Sequence, residues 1–192
     1  MTGADEPTVL VVEDEPDLAE LYTAWLQEYC DVRTAYDGEE ALDAMDEAVD
    51  IVLLDRRMPG LSGDEVLDAL QSRDLDPRVA MVTAVEPDFD IVEMGFDEYL
   101  VKPVSKEDLV ETVDQLLLRS EYDEQILELF ALASKKALLD AEKTEAELRA
   151  SEEYARLVDR LAVLREEVDE TVMELSDQDA YGRIYQDISR TG

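Results

Sequence analysis

The chain contains no histidine and a single cysteine, Cys30. A protein zinc site draws on several His or Cys ligands, and a thiol nucleophile normally works with an imidazole, so both kinds of site are excluded. A single cysteine also cannot form a disulfide within the chain. We therefore expect Cys30 to be a small buried apolar residue, in keeping with a reducing cytoplasm.

Long hydrophobic runs are also missing. The longest ones, such as residues 9–12 and 51–54, have the length of a strand and fall far short of a membrane span. The first seven residues, MTGADEP, do not show the basic stretch followed by an apolar stretch that marks a secretory signal. We therefore expect a cytoplasmic protein that makes no contact with a membrane.

Basic residues are scarce, since 17 Lys and Arg stand against 51 Asp and Glu, which gives a formal net charge of −34. The excess is spread over the chain, with 32 acids and 8 bases in residues 1–120 and 19 acids and 9 bases in residues 121–192. Such a surface repels itself in dilute buffer, but in 1 M salt the screening length falls to about 3 Å. The composition resembles that of halophiles with a salt-filled cytoplasm. It also disfavours unaided binding to nucleic acid phosphates, which needs a basic face.

Short apolar runs alternate with helical patterns over the first 120 residues. The predicted strands are residues 8–12, 32–35, 51–54, 79–83 and 99–101. The predicted helices start at Pro16, span residues 39–47 and 64–72, and run from a Ser105 N-cap to about residue 119. Continuous apolar strands separated by helices indicate a parallel sheet covered on both faces. We therefore expect a five-stranded, doubly wound, flavodoxin-like α/β domain over residues 1–120.

Four of the predicted strands end in residues that can carry chemistry. These residues are Glu13, Asp14, Asp55, Thr83 and Lys102. In a parallel sheet the functional site lies beyond the carboxyl ends of the strands, so these side chains should meet at one edge. Crowded carboxylates repel one another unless a cation lies among them, and Mg²⁺ prefers carboxylates, waters and phosphate oxygens. A carboxylate can also act as the nucleophile toward phosphorus, so the pattern favours phosphoryl transfer.

Four motifs make this interpretation specific. They are VLVVEDEP at 9–16, IVLLDRRMPGLSG at 51–63, VTA at 82–84 and YLVKP at 99–103. In this order and on these elements they resemble the receiver domains of two-component response regulators, over residues 8–119. The resemblance implies that Asp55 accepts a phosphoryl group from a histidine kinase. It also implies that Asp14, Asp55 and the backbone carbonyl of Arg57 bind Mg²⁺ directly, and that Glu13 acts mainly through water.

The same resemblance assigns roles to the residues after the fourth and fifth strands. Thr83, next to Ala84, would hydrogen-bond one phosphoryl oxygen and Lys102 would pair with another. Tyr99 would change rotamer with Thr83, and the Lys102–Pro103 peptide would be cis. The chain would then be no enzyme, but a phosphoacceptor that assists its own phosphorylation and dephosphorylation. From residue type alone, the acids could be solvated surface, Lys102 a salt-bridge partner and Tyr99 a half-buried strand residue.

One segment departs from the receiver pattern. Residues 86–96 are fewer than receivers usually have at this point, and they include Pro87 and Gly95. We therefore expect the fourth helix to be short or irregular. This puts in doubt the dimerisation that receivers often achieve through the fourth helix, fifth strand and fifth helix.

Helical patterns replace strands from about residue 122, and they predict an all-α hairpin or short coiled coil over residues 121–192. One predicted apolar face comprises Ile126, Leu127, Phe130, Ala133, Ala137, Leu138 and Ala141. Thr144 and Glu147 form a capping-box pattern, and Ser151 is placed to cap a further helix. The second apolar stripe comprises Leu157, Leu161, Leu164, Val168, Val172 and Leu175. After Asp177, a short helix or loose end is predicted, in which Tyr181, Ile184, Tyr185 and Ile188 could dock.

Residues 121–190 resemble HalX, a helical module that follows receivers in haloarchaea. The resemblance rests on stretches such as ASKKALLDAEKT at 133–144 and ELRASEEY at 147–154. Three outputs compete: an interaction or homodimerisation module, a DNA-binding transcriptional regulator, and an enzyme, for which no residues are found. A homodimer would use the stripe from Leu157 to Val168, but the same stripe could form the core of a hairpin within one chain.

Overall fold

The computed structural model describes the backbone of residues 6–73 and 75–189 and the side chains as far as residue 176. It forms two compact units that divide between Leu117 and Leu118. The boundary predicted at residue 120 lies close by, within the same helix. Each unit has its own core, and each is described separately.

The first unit contains a five-stranded sheet. Its strands are β1 (Thr8–Val12), β2 (Asp31–Ala35), β3 (Ile51–Leu54), β4 (Arg78–Thr83) and β5 (Glu98–Val101). All are parallel, in the order β2-β1-β3-β4-β5. The order reverses direction between β1 and β3, which is where parallel sheets open a crevice at their carboxyl ends. The predicted doubly wound architecture is confirmed.

Helices cover both faces of this sheet. They are α1 (Pro16–Leu26), α2 (Gly38–Ala44), α3 (Gly63–Ser72) and the first turns of α4 (Lys106–Glu142). Helix α2 ends earlier than the predicted residue 47, because Met45 adopts an extended backbone and the Asp46 side chain accepts a hydrogen bond from the Ala48 N–H. Between β4 and β5 the chain forms only a 3-10 helix, Phe89–Glu93, as the shortened segment predicts.

Successive strand residues point to opposite sides of the sheet. Val9 and Val11 pack with Leu26 and Leu109 on one face, whereas Leu10 and Val12 pack with α2 and α3 on the other. The sheet is therefore buried on both sides, which explains why its strands are continuously apolar. Such a rigid platform fixes the residues that follow each strand.

Helix α4 is much longer than predicted. Ser105 caps it as expected, through reciprocal hydrogen bonds with Asp108. The helix then runs to Glu142, past the predicted end near residue 119, so the boundary near residue 120 is continuous helix, as the lack of a Pro- or Gly-rich linker between the two halves predicts. The chain has no Gly or Pro between residues 106 and 142, and no residue in that stretch stops the helix. The result is one continuous helix shared by both units.

The second unit is an antiparallel helical hairpin. Thr144 and Glu147 form the predicted capping box at the start of α5 (Glu145–Ala150), and α6 (Glu152–Ser189) follows directly. Three side-chain pairs join α4 to α6: Tyr154 Oη donates to Asp140 Oδ1 at 2.6 Å, Arg160 Nη2 to Glu128 Oε2 at 2.7 Å, and Thr171 Oγ1 to Gln125 Oε1 at 3.0 Å. Residues further toward the end of α4 pair with residues nearer the start of α6, so the two helices run in opposite directions.

The hairpin core uses different positions from those predicted. On α6, Leu161, Leu164 and Val168 are buried as expected, but Thr171 replaces Val172, which is 41% exposed. On α4 the predicted face is right at Ile126 and Ala133, which are half-buried, but wrong at Leu127, Phe130 and Leu138, which are 71%, 68% and 65% exposed. The half-buried face of α4 consists of Tyr122, Gln125, Ile126, Leu129, Leu132, Ala133, Lys136 and Leu139. The stripe that could have served a homodimer is thus buried within one chain.

The last helix also extends further than predicted, to Ser189. The side chains of Tyr181, Ile184, Tyr185 and Ile188 lie outside the described residues, so their predicted docking stays a prediction. Among the helices of the described part of the chain, none combines the length and hydrophobicity that a bilayer span requires.

Candidate functional site

Backbone hydrogen bonds between neighbouring strand ends bring the predicted residues to one edge of the sheet. The Asp55 N–H donates to the Val12 carbonyl at 2.9 Å, which fixes the end of β3 beside the end of β1. The Lys102 N–H donates to the Thr83 carbonyl at 2.8 Å, which does the same for β5 and β4. Residues that are 89 positions apart in sequence, from Glu13 to Lys102, therefore share one site.

Lys102 is the cation of this site. Its Nζ lies 2.7 Å from Glu13 Oε2 and 2.7 Å from Asp55 Oδ2, and these side chains are only 11%, 2% and 8% exposed. Burial raises the pKa of Glu13, which the hydrogen bond from Lys102 partly offsets. Burial alone would lower the pKa of Lys102, but its hydrogen bonds to Asp55 and Glu13 outweigh that effect and raise it. The lysine therefore stays charged and holds the two carboxylates together.

The carboxylates also suit a metal ion. One oxygen from each of Glu13, Asp14 and Asp55 can be chosen so that all lie within 4.8 Å of one another. An all-oxygen, acid-rich set of this kind fits Mg²⁺. The backbone N–H of Arg57 donates to Asp55 Oδ1 at 3.2 Å, which draws the next stretch of chain around the same carboxylate. Metal binding by the Arg57 carbonyl stays a prediction.

Thr83 and Tyr99 are linked through one intervening residue, Val85. Thr83 is fully buried, and its Oγ1 accepts a hydrogen bond from the Val85 N–H at 3.3 Å. The half-buried Tyr99 donates its hydroxyl to the Val85 carbonyl at 2.8 Å. A movement of Thr83 can therefore reach Tyr99 through the backbone of Val85. Ala84, between them, is exposed and small enough to leave the edge of the sheet open.

Two backbone features complete the site. The Lys102–Pro103 peptide is cis, as the resemblance to receivers implies. Gly63, the first residue of α3, lies against the loop that follows β3, and a Cβ added there would fall 2.2 Å from the Asp55 carbonyl oxygen. Any larger residue at this position would push α3 away from Asp55. The sequence marks Gly63 only as a loop residue, because its close approach to Asp55 depends on the tertiary fold.

Comparison with known proteins identifies the two units. The family described as "Response regulator receiver domain" matches residues 9–114, and the family described as "HalX domain" matches residues 118–185. The chain belongs to the response-regulator receiver family. A HalX domain follows its receiver domain, as the sequence motifs indicate.

Two relatives at the sequence level are named as transcriptional regulators. A candidate transcriptional regulator of Haloferax volcanii is 54% identical over 165 residues, which cover 85% of this chain and 28% of that protein. The transcriptional regulatory protein CpxR of Escherichia coli is 39% identical over 121 residues, which cover 61% of this chain and 52% of that protein. The chain thus spans about a quarter to a half of the length of these relatives.

Solved receiver structures share the fold. The response regulator TrrA of Thermotoga maritima, determined in complex with Mg²⁺ and BeF, is 36% identical, with a TM-score of 0.51 over 57% of this chain and 98% of that one. A CheY-like receiver domain from Methanospirillum hungatei is 26% identical, with a TM-score of 0.56 over 62% of this chain and 98% of that one. Both matches cover nearly the whole of a single receiver domain.

Arg56 adds a feature to this receiver domain that the sequence did not reveal. Its guanidinium forms a bidentate pair with Asp64 at the start of α3, with Nε–Oδ1 at 3.0 Å and Nη2–Oδ2 at 3.1 Å. The same Nη2 binds Asp90 in the 3-10 helix. Hydrogen bonds to Asp64 and Asp90 raise the pKa of Arg56 further above its already high value, so it stays charged. The residue next to Asp55 therefore ties the irregular segment to the site.

We expect Arg56→Gln to loosen the segment around Asp90. Without the guanidinium, Asp90 loses its ion pair with the loop that follows Asp55, so backbone amides 88–94 should exchange with deuterium several-fold faster. The stability loss should stay near 1 kcal/mol, because both carboxylates are about half exposed and can be solvated. Arg57→Gln is the matched control, since the adjacent Arg57 is exposed. Equal exchange rates in the two variants would contradict this role of Arg56.

Proposed function

We propose that this chain is a phosphorylation-controlled response regulator in which Asp55 accepts a phosphoryl group from a histidine kinase. The observation that carries the proposal is the environment of Asp55, a carboxylate that is nearly buried yet held at 2.7 Å from Lys102. It lies at the open edge of the sheet beside two further acids. An acid that served only to keep this highly charged chain soluble would not need to be buried beside a lysine.

The reaction follows from the atoms around Asp55. One Asp55 oxygen attacks phosphorus, a P–O bond forms, and the bond from phosphorus to the donor, an imidazole nitrogen of the kinase or an acyl oxygen, breaks. Lys102, already at hydrogen-bond distance from Asp55, then pairs with a phosphoryl oxygen. Asp14, Asp55 and the Arg57 carbonyl would hold Mg²⁺, with Glu13 acting through water. When bound, that ion neutralises the charge that gathers on the phosphoryl oxygens.

Readout of the phosphoryl group starts at Thr83. If its hydroxyl turns to a phosphoryl oxygen, the Val85 N–H loses its acceptor, and Tyr99, bound to the Val85 carbonyl, becomes free to follow. The group that accepts the phosphoryl group is the chain's own Asp55. We therefore propose that the chain is a phosphoacceptor that assists its own phosphorylation and dephosphorylation, and that it is not an enzyme. We also propose that it works in a cytoplasm rich in salt, which screens its charge of −34.

For the output we propose protein–protein interaction or homodimerisation through the helical unit. The acidic surface of this unit supports interaction with a basic protein partner, because the cleft along α4 and α6 is lined by six glutamates around Arg160. DNA binding is the second candidate, and the names of the relatives favour it. A basic partner or a second basic chain would then have to supply the phosphate contacts.

The phosphoacceptor is tested by intact-protein mass spectrometry after incubation with acetyl phosphate. Wild-type protein should gain one phosphoryl group with Mg²⁺ and none with EDTA, and tandem spectra should place it on Asp55. Asp55→Asn should lose this gain, whereas the control Asp64→Asn, which changes a nearby acid on α3, should keep it. Incorporation that survives in Asp55→Asn would overturn the proposal.

A further inference from the structure

Helix α4 has a second apolar face within the helical unit. Defined here as the outer face, it consists of Leu127, Phe130, Ala131, Ser134, Ala137 and Leu138 and ends at Ala141. Among the side chains described for this unit, its large members are the most exposed large apolar ones apart from Met173. At 1.5 Å per residue the face is about 21 Å long. It carries no charged residue, although 35% of the chain is charged.

Helix α6 does not cover the outer face. It contacts α4 through Gln125, Glu128 and Asp140, and the half-buried residues of α4 lie on that same side. At 100° per residue, Leu127, Phe130 and Ser134 lie on roughly the opposite side of the helix. A helix apolar on one side only would suffice for the hairpin. The outer face therefore has no function in the hairpin itself.

We propose that the outer face binds the outer face of a second copy of this chain, with the two α4 helices antiparallel about a two-fold axis. This deepens the proposed interaction function by naming the partner and the surface. The interface is isologous, so each contact occurs twice. It differs from the predicted homodimer that would use the stripe from Leu157 to Val168, because the side chains of that stripe pack inside the hairpin of a single chain.

Side-chain size fits this arrangement. In heptad terms Leu127 and Ser134 occupy one core position, and Phe130 and Ala137 occupy the other. Antiparallel helices pack one kind of core position against the other kind. With the axis at the level of residue 132, Leu127 meets Ala137 of the second copy and Phe130 meets its Ser134. Each large side chain thus faces a small one, and the same pairs repeat on the other side of the axis.

Charge favours the same direction. Residues 121–130 of α4 contain four acids, Glu121, Asp123, Glu124 and Glu128, and no base. In residues 131–143, the exposed Lys135 lies beside the outer face, whereas Lys136 lies on the half-buried side and pairs with Asp140. An antiparallel pair sets the acidic half of each helix beside the lysine-containing half of the other. A parallel pair would set the two acidic halves side by side.

The test is the mass of the full chain in solution, by light scattering and sedimentation in about 2 M KCl, where charge repulsion is screened. Wild type should have the mass of a dimer, and its dissociation constant should rise at least tenfold in dilute salt. Phe130→Glu should be a monomer with unchanged helix content by circular dichroism. Phe89→Glu is the matched control, because Phe89 is 91% exposed on the receiver unit, and it should stay dimeric.

Cysteine cross-linking tests the direction of the helices, in a Cys30→Ser background. A mixture of Leu127→Cys and Ala137→Cys proteins should form a disulfide between the two species. Neither protein alone should do so, because the two copies of residue 127 lie about 15 Å apart along the axis. Cross-linking of each protein with itself would overturn the antiparallel arrangement.

A wild-type monomer at all concentrations, or a Phe130→Glu dimer, would overturn the proposed surface, even if the chain binds some other protein. The outcome is distinguishable from failure of the phosphoacceptor. Asp55→Asn should remain dimeric, because the outer face does not include Asp55. A wild-type dimer that takes up no phosphoryl group would therefore count against the receiver function alone.

Discussion

Lys102→Met is expected to lower the free energy of unfolding of the receiver unit by about 3 kcal/mol in EDTA, the usual cost of removing one partner from a buried ion pair. Glu13 and Asp55 would stay buried at the same edge without their shared cation. Methionine has a similar length, so packing changes little. Urea unfolding followed by the fluorescence of Trp25, the single tryptophan and a residue of α1, measures this unit.

Magnesium should recover most of this loss. A divalent ion that binds Asp14 and Asp55 directly, and Glu13 through water, only in the folded state stabilises that state by mass action. The gain from Mg²⁺ should be larger in Lys102→Met than in wild type, where Lys102 competes for the same carboxylates, Glu13 and Asp55. Lys106→Met is the control, since its pair with Glu28 is exposed and should contribute little. Equal losses in the two variants, or no effect of Mg²⁺, would contradict the electrostatic account of the site.

The receiver site was predictable because each of its residues lies in a short local sequence motif. Asp55 follows four apolar residues that can only be a buried strand, and the parallel-sheet rule then brings it to the same edge as Glu13 and Lys102. The contacts of Arg56 were not predictable in this way. Its partner Asp90 is 34 residues away, in a segment whose only sequence signal was that it is short. An arginine among many acids has too many possible partners for the sequence to select one.

The helical unit shows where periodicity fails. Helix α4 has apolar residues on two faces, and the periodicity that includes Leu127 and Phe130 belongs to the outer face, not to the half-buried face that packs on α6. The half-buried face gives a weaker apolar pattern, because it mixes Gln125 and Lys136 with its leucines. On α6 the stripe was displaced at one position, where Thr171 satisfies its hydroxyl through Gln125 and the Glu167 carbonyl and can therefore be buried. A buried threonine cannot be recognised without its partner.

The register of α6 leads to the second large prediction. Val168→Asp should destabilise the helical unit by more than about 3 kcal/mol, because a carboxylate would enter the hairpin core without a partner. Val172→Asp should cost less than about 1 kcal/mol, because that side chain is 41% exposed, against 8% for Val168. Both variants make the same chemical change on one helix, so propensity and net charge cancel in the comparison.

Thermal unfolding followed by circular dichroism at the helix band measures both variants. Since α4 is shared with the receiver unit, Trp25 fluorescence should be recorded in parallel, and its transition should move far less than the helical one in Val168→Asp. The two possible registers differ in what they predict for Val172. If Val172 occupied the core together with Val168, as the sequence stripe predicts, both variants would be damaging. A larger loss in Val168→Asp requires the register in which Leu161, Leu164, Val168 and Thr171 face α4, and that register leaves the outer face of α4 open to a second chain.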